Sequence, residues 1–457
     1  MINIADVEKL RTFFRSGAVR TREARIGYLK KFRSSILSHE EELYEALQTD
    51  LGKCKEEVWA TETGLVLAEL NYTIKHLRRW MTPESVGTNL VNFPSSSRIL
   101  KEPMGVVLII GPWNYPFQLV MVPLIGAIAA GNTVVMKPSE FSPATNAVIK
   151  KIITEVFPPD YVMYVEGEGA VVVPELMNGF RFDHVFYTGS PLVGKIIYTM
   201  AASQLVPVTL ELGGKSPCII EPDANIKVAA RRIAMTKFSN AGQMCVAPDY
   251  VLVHASVKDE MLKALQAQIL AFFGEDPSKS YNYGKIINDR QFSRLSAYLG
   301  DGTIFHGGKT DRATRYIEPT LMTDLKPDAG VMRDEIFGPI LPVIPFNTRE
   351  EALAIIEQHP NPLAMYVYTA SRKKEEEWLK DVPAGGGCVN NSSWQFANHH
   401  LPAGGRGNSG IGNYHGRASF DTFSHRKSIL KTPTWFDPSF KYPPFKGKLK
   451  WFKKIIR

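Results

Sequence analysis

The stretch Met104–Lys137, MGVVLIIGPWNYPFQLVMVPLIGAIAAGNTVVMK, carries a strand, a helix and a second strand in one span. GVVLII and TVVMK are aliphatic without polar alternation. A strand apolar on both sides is buried on both sides, the habit of parallel sheets covered by helices. Between the two, Pro116–Ala130 reads as a helix that stops at Gly131. Its apolar run Leu119–Ala130 has 12 residues and an internal proline. A bilayer span needs about 20 residues, so this is a buried helix. The alternation continues through Ala144–Val156, VMYVEG, HVFYT (His184–Thr188), Leu192–Ala202 and VTLEL. It predicts an α/β fold around a Rossmann-like parallel sheet. Ligands of such sheets bind at the carboxyl ends of the strands.

Outward from this span, residues 1–80 are rich in Leu, Glu, Lys and Arg with apolar residues at helical spacing, which predicts two or three helices. In residues 84–102 the apolar runs Asn89–Phe93 and Arg98–Leu100 flank Pro94–Ser97, a β-hairpin signal. Past Glu211 a second α/β region reaches about Asn391, with strands at Tyr250–Val253, Leu363–Thr369 and Cys388–Asn390 and a helix at Lys258–Phe273. The 457 residues, 44% of them hydrophobic and 22% charged, exceed one core and suggest two or three domains. Four cysteines without CxxC or zinc spacing imply a reducing compartment and no metal site. The N-terminus has no apolar signal region, so a cytoplasmic protein is expected. The net charge of +8 belongs mostly to Lys441–Arg457, which leaves 47 basic against 46 acidic residues elsewhere. That near-neutral body gives no nucleic-acid-binding surface.

Several residues at strand ends and turns could carry chemistry. Cys245 lies in SNAGQMCVAPDY (Ser239–Tyr250) behind small residues that let a ligand approach. A thiol in a partly open site can be a nucleophile, although an isolated cysteine commonly just packs. Glu211 ends an apolar strand before Gly213 and Gly214. Burial there would raise its pKa and make it a base, whereas a solvent-facing strand end would leave it ordinary. Asn114 could cap the helix that follows it or donate to an oxyanion. Gly189, Ser190 and Gly194 form a glycine turn opening a helix, either a phosphate cradle or a tight turn. Lys137 and Glu140 stand after TVVMK, as ligand contacts or as a solvated loop pair.

LELGGKSP (Leu210–Pro217) followed by FSNAGQMCVAPDY (Phe238–Tyr250) resembles the aldehyde dehydrogenase superfamily in residues and spacing. APDY, EIFGPILP (Glu335–Pro342) and FSHRK (Phe423–Lys427) resemble its dimeric, broad-substrate branch, which includes the fatty and aromatic aldehyde dehydrogenases. The matching motifs run from about Gly111 to His425. The resemblance implies a Cys245 nucleophile, a Glu211 base and an Asn114 oxyanion donor. It further implies that Gly189, Ser190 and Gly194 meet the pyrophosphate, Lys137 and Glu140 the adenosine ribose, and Glu335 and Phe337 the nicotinamide ribose and ring. From the residues alone, Glu335 and Phe337 are a strand-edge carboxylate and a core ring. NAD is expected, with NADP also admitted because the branch often accepts both. The implied reaction oxidises an aldehyde through a thioester that Glu211-activated water hydrolyses to a carboxylic acid. Members that pass the acyl group to coenzyme A lack that carboxylate.

The implied domains are a cofactor domain at 1–83 and 103–210, a catalytic domain at 211–395, a small β oligomerisation hairpin and arm at 84–102 and 396–435, and a basic tail at 436–457. A homodimer is implied, its hairpin crossing the interface. Two departures concern the substrate. Ala403 stands where the family usually places an aromatic ring, which suggests a wide pocket for bulky or long-chain aldehydes, and Arg406 replaces a small apolar residue. Gly385–Gly387 suggest a loosened loop before Asn390. A helix over Lys446–Arg457 would put Leu449, Phe452 and Ile456 on one face and the lysines on the other. Such a tail suits peripheral contact with an anionic inner membrane surface, packing on the body or a partner's pocket mouth, or solvent. A fold-keeping, non-catalytic relative of the lens crystallin kind is the competing class, but both Cys245 and Glu211 are present. A Cys/His hydrolase has no support, because no histidine motif ties to Cys245.

Overall fold

The computed structural model describes residues 3–456. Met1, Ile2 and Arg457, which the terminal expectations included, lie outside the described residues.

A six-stranded sheet runs, edge to edge, through Gly410–Ile411, Val208–Glu211, His184–Thr188, Val106–Ile110, Thr133–Lys137 and Val162–Tyr164. All neighbours are parallel except the short Gly410–Ile411 edge. Every residue of Val106–Ile110 and Thr133–Lys137 is buried, as the apolar run inside each strand requires. The register pairs Ile110 with Lys137 and Thr188 with Glu211, so these polar side chains sit at carboxyl ends of strands.

The apolar run forms the helix Gln118–Ala130, buried at every residue. It begins two residues later than expected and ends as expected at left-handed Gly131 (φ 93°). Buried Arg25 donates to the carbonyl of Ala129 at 2.9 Å, which places a cation at the negative end of the helix. Burial lowers that guanidinium to about 10. The N-terminal region holds more helix than expected: Ile4–Ser16, Arg22–Ser38, Glu40–Leu51 and Gly64–Met81, with Lys55–Val58 running into a π-helical turn, Trp59–Thr63. The helix Gly169–Gly179 also went unanticipated, because Pro174 interrupts its pattern.

A seven-stranded sheet follows the order Thr303–His306, Thr320–Thr323, Ile340–Phe346, Tyr250–His254, Pro217–Ile220, Ala364–Tyr368 and Gly386–Val389. Only its first strand is antiparallel. A third, antiparallel sheet joins Glu84–Val86, Ser96–Pro103 and Ser424–Lys431. The expected hairpin is present, but its first strand is Glu84–Val86 and not Asn89–Phe93. The N–H groups of Asn92 and Phe93 turn back to the carbonyls of Asn89 and Leu90, closing a 3-10 turn, and Glu84–Val86 takes the sheet position.

Two further expectations are revised. The tail helix covers only Leu449–Ile455, preceded by left-handed Gly447 (φ 84°), where a right-handed helix cannot continue. The glycines at 385–387 do not loosen a loop. Gly386 and Gly387 lie in a strand paired with Ala364–Val367, and a Cβ on Gly387 would stand 2.2 Å from the carbonyl oxygen of Met365. Gly387→Ala should therefore cost about 1–3 kcal/mol through overpacking, read as a lower urea midpoint with unchanged slope; a tolerated alanine would restore the loose-loop reading.

Candidate active site

Cys245 follows the helix Ile226–Phe238 through a turn with three successive left-handed residues, Asn240, Ala241 and Gly242 (φ 51°, 50° and 74°). Such a run is costly outside glycine and persists only when its surroundings hold it. Here the Asn240 amide donates to the Asn114 carbonyl at 2.8 Å, and the Gln243 amide donates to the Asn240 and Lys285 carbonyls at 3.0 Å each. Gly242 has no room for a side chain, since a Cβ would meet the Gly338 carbonyl at 2.2 Å. The loop carrying Cys245 is thereby pressed against the loop carrying Glu335 and Phe337.

Cys245, Glu211 and Asn114 share a cavity of about 880 Å³ with Gly189, Ser190, Glu335 and Phe337. Glu211 sits at the end of its strand, 4% exposed, and its backbone carbonyl accepts the Gly189 N–H at 3.0 Å. Neither carboxyl oxygen has a hydrogen-bond partner among the described residues. Burial pushes this carboxyl well above the usual range, so the solvent-facing alternative does not apply. Half-buried Cys245 has its thiol raised by burial first, then by the carboxylates of Glu335 and Glu211. Asn114 does not cap the helix, which starts at Gln118 with Phe117 in the cap position. Its amide, 2% exposed, donates to the Gln243 carbonyl at 3.1 Å.

Lys137, Glu140 and Gly194 do not line this cavity. Lys137 and Glu140 form an ion pair at 2.6 Å, and Glu140 accepts the Gly169 N–H at 3.0 Å where a helix opens. Burial opposes ionisation of Glu140, but Lys137 and that N–H prevail and lower its pKa. Lys137 is 2% exposed, so the pair is no solvated loop contact. Gly194 serves packing, because a Cβ there would meet Leu212 at 2.7 Å. Gly189 likewise lets Tyr187 close in, and Ser190 caps the helix Pro191–Ser203 by accepting the Val193 N–H. Ala403 is buried in an apolar cluster with Phe117, Phe186 and Tyr414 and is not part of the cavity wall.

The structure adds residues the sequence did not single out. Buried Lys215 pairs with Asp249 and donates to the carbonyls of Val331 and Asp334 at 2.8 and 2.9 Å. Asp249 in turn accepts the Ile336 N–H at 2.9 Å. This pair holds the segment that presents Glu335 and left-handed Phe337 (φ 52°), whose ring meets Trp113 edge-on at 5.2 Å. Both letters lie inside the motifs around Glu211 and Cys245, but no sequence pattern says that they touch. Among the described residues no group of three His, Cys, Asp or Glu is arranged to hold a metal ion, and no helix is long and apolar enough to cross a membrane.

A thiol, a buried carboxyl without a partner among the described residues and an amide donor thus meet around one strand-end cavity. The aldehyde dehydrogenase family model matches residues 7–429, and the chain belongs to that family. It is 45% identical over 449 residues to the 4,4'-diaponeurosporen-aldehyde dehydrogenase of Staphylococcus aureus, spanning 98% of this chain and 97% of that one. It is 42% identical over 445 residues to the dimeric NADP-preferring aldehyde dehydrogenase of Canis lupus familiaris, spanning 97% and 98%. The solved substrate-bound state of Staphylococcus aureus AldH superposes with a TM-score of 0.97 at 45% identity, each chain covered completely. The protein is an NAD(P)-dependent oxidoreductase that converts aldehydes to acids.

Glu335 yields a pH prediction. Burial first, then the charge of Asp249, raises it from 4.5 to about 8. The folded state therefore binds more protons than the unfolded state between those values, and this group's contribution to stability falls as pH rises through that window. Glu335→Gln should raise the Tm of the cofactor-free protein increasingly from about pH 5 to about pH 9; an unchanging difference would show that Glu335 titrates normally.

Proposed function

We propose that the enzyme is a hydrolytic, non-CoA-acylating aldehyde dehydrogenase with Cys245 as nucleophile, Glu211 as general base and Asn114 as oxyanion donor. The observation that carries this reading is an unpartnered, buried carboxyl in the same cavity as a half-buried thiol. The Cys245 thiolate adds to the aldehyde carbon, and the Asn114 amide with the Cys245 backbone N–H stabilises the resulting oxyanion. The oxidised nicotinamide supplies a hydride acceptor. As the oxyanion collapses, the C–H bond breaks with its electron pair and leaves a thioester. Glu211, with its raised affinity for protons, takes one from water, and the hydroxyl group adds to the thioester carbon. The C–S bond then breaks, the carboxylic acid departs and the thiolate returns.

The residues fit a dinucleotide. In this reading Lys137 and Glu140 take the adenosine ribose, Gly189 and Ser190 at a helix N-terminus take the pyrophosphate, and Glu335 and Phe337 take the nicotinamide end, with Gly194 in support. Glu140 favours NAD, while Lys137 could answer a 2′-phosphate. The domain boundaries given by the resemblance, at 83, 103, 211 and 395, belong to the same reading. So does a homodimer through the antiparallel sheet, supported by the name of the canine relative. A large apolar aldehyde is the proposed substrate, supported by the name of the Staphylococcus aureus relative; Ala403, buried away from the cavity, does not widen it.

Rapid mixing with NAD or NADP and aldehydes of rising chain length tests these assignments. Cys245→Ala should abolish reduced nicotinamide formation. Glu211→Gln should keep a single-turnover burst while steady turnover drops by about 10²-fold or more. KM should fall as the aldehyde chain lengthens. Loss of the burst in Glu211→Gln would move the carboxylate to the first half-reaction, and a KM indifferent to chain length would remove the large-aldehyde reading.

The tail at 436–457 is proposed as a peripheral contact with an anionic membrane. Leu449, Trp451 and Ile456 are exposed among lysines, and its hydrogen bonds from Asp437 onward stay within the tail among the described residues. Vesicles of anionic phospholipid should pellet the full chain but not a chain ending at residue 440; equal pelleting would assign the tail to the protein body or to solvent.

A further inference from the structure

A set of charged side chains lies behind the cavity, outside its wall, and touches both segments that carry the reacting groups. Lys53 and Glu62, 1% and 0% exposed, pair at 2.7 Å. The same ammonium donates to the backbone carbonyl of Asn114 at 3.2 Å and lies 3.8 Å from the centre of the Tyr115 ring. The second oxygen of Glu62 accepts the N–H of Gln118 at 2.8 Å, the first residue of the helix that follows Asn114. That helix has no side-chain cap of its own, so Glu62 supplies the anion its N-terminus attracts. Both ends of the segment 114–118 are thus held by one buried ion pair.

Half-buried Glu57 performs the corresponding task for the cysteine loop. It accepts the Asn240 N–H at 2.7 Å, at the first of the three left-handed residues. The two segments meet where the Asn240 amide donates to the carbonyl that Lys53 also contacts. Glu57 and Glu62 are five residues apart, which on a regular α-helix would separate them by about 140°. The π turn Trp59–Thr63, closed by the Gly64 N–H on the Trp59 carbonyl, brings them round toward the same interior.

An ion pair without solvent contact carries a desolvation cost of several kcal/mol per charge, and apolar residues would fill the same space more stably. Its retention calls for a geometric reason. We propose that Lys53 and Glu62, with Glu57, are positioning residues: they set the Asn114 amide against the Cys245 loop so that the oxyanion site is formed before substrate arrives. This rests on the roles given above to Asn114 and Cys245. None of the three charged residues lines the cavity, so each acts through Asn114 or Asn240 and not by touching substrate.

Stopped-flow hydride transfer from hexanal to NAD, read beside the Kd of NAD, tests the proposal. Lys53→Met should slow hydride transfer by about 10²-fold, the effect of a misplacement near 1 Å, while the Kd for NAD and KM for hexanal shift less than about threefold. Lys53→Arg should recover most of the rate. Because Lys53 works through the Asn114 segment, Lys53→Met combined with Asn114→Ala should be no slower than Asn114→Ala alone. Multiplying losses, or NAD affinity falling in step with the rate, would overturn the proposal and leave the pair a merely structural one. Should Lys53→Met not fold, Glu62→Gln, which keeps an acceptor for the Gln118 N–H, is judged by the same cycle with Asn114→Ala. A slow Asn114→Ala with a normal Lys53→Met or Glu62→Gln sinks this inference alone. A normal Asn114→Ala sinks the oxyanion assignment and this inference with it.

Discussion

A sheet buried on both faces leaves polar side chains only its strand ends. In the six-stranded sheet the interior positions are aliphatic or aromatic apart from Thr209, which pairs with His184, and the charged Lys137 and Glu211 appear where the strands run out. The register aligns these ends along one edge, next to the helix N-termini at Gly169 and Pro191 and to the segment that carries Asn114. Burial at that edge acts directly on chemistry. It raises Glu211 by withholding water from the charged form, and among the described residues no cation offsets it; Cys245, on the facing loop, is raised by burial and by the carboxylates of Glu335 and Glu211.

The second sheet depends on the first through loops, not through shared strands. Cys245 and Glu335 arrive on segments that would not hold their shapes alone, since left-handed residues occur in both. Buried hydrogen bonds and ion pairs make up the difference. Lys215 with Asp249 holds the Glu335 segment, and Gln243 with Asn240 holds the cysteine turn. Polar groups inside a protein are costly unless satisfied, and a fully satisfied set is rigid. Rigidity of that kind suits a site whose donors must face a transition state without rearranging.

Strong local patterns were legible. The apolar helix before Gly131, the strand ending at Lys137 and the parallel character of both sheets follow from residue type and period, and the family was readable from the motifs around Glu211 and Cys245. Weaker local signals failed. Asn89–Phe93 has strand composition, but its N–H groups found turn carbonyls and the sheet position went to Glu84–Val86. Gly385–Gly387 looked flexible, yet the Met365 and Gly404 carbonyls lie where side chains would stand at 387 and 385.

By itself the sequence determined the α/β class and the strand-end placement of Glu211 and Lys137. Each depends on residue type and spacing over a few neighbours, which the chain states locally. Tertiary structure alone decided that the Glu211 carboxyl has no partner among the described residues, that Asn114 is no helix cap, that Gly194 packs on Leu212, and that Lys53 touches the carbonyl of Asn114, more than 60 residues further on. Those outcomes turn on which distant groups share a dry interior, where a charge or an amide must find whatever partner the packing brings.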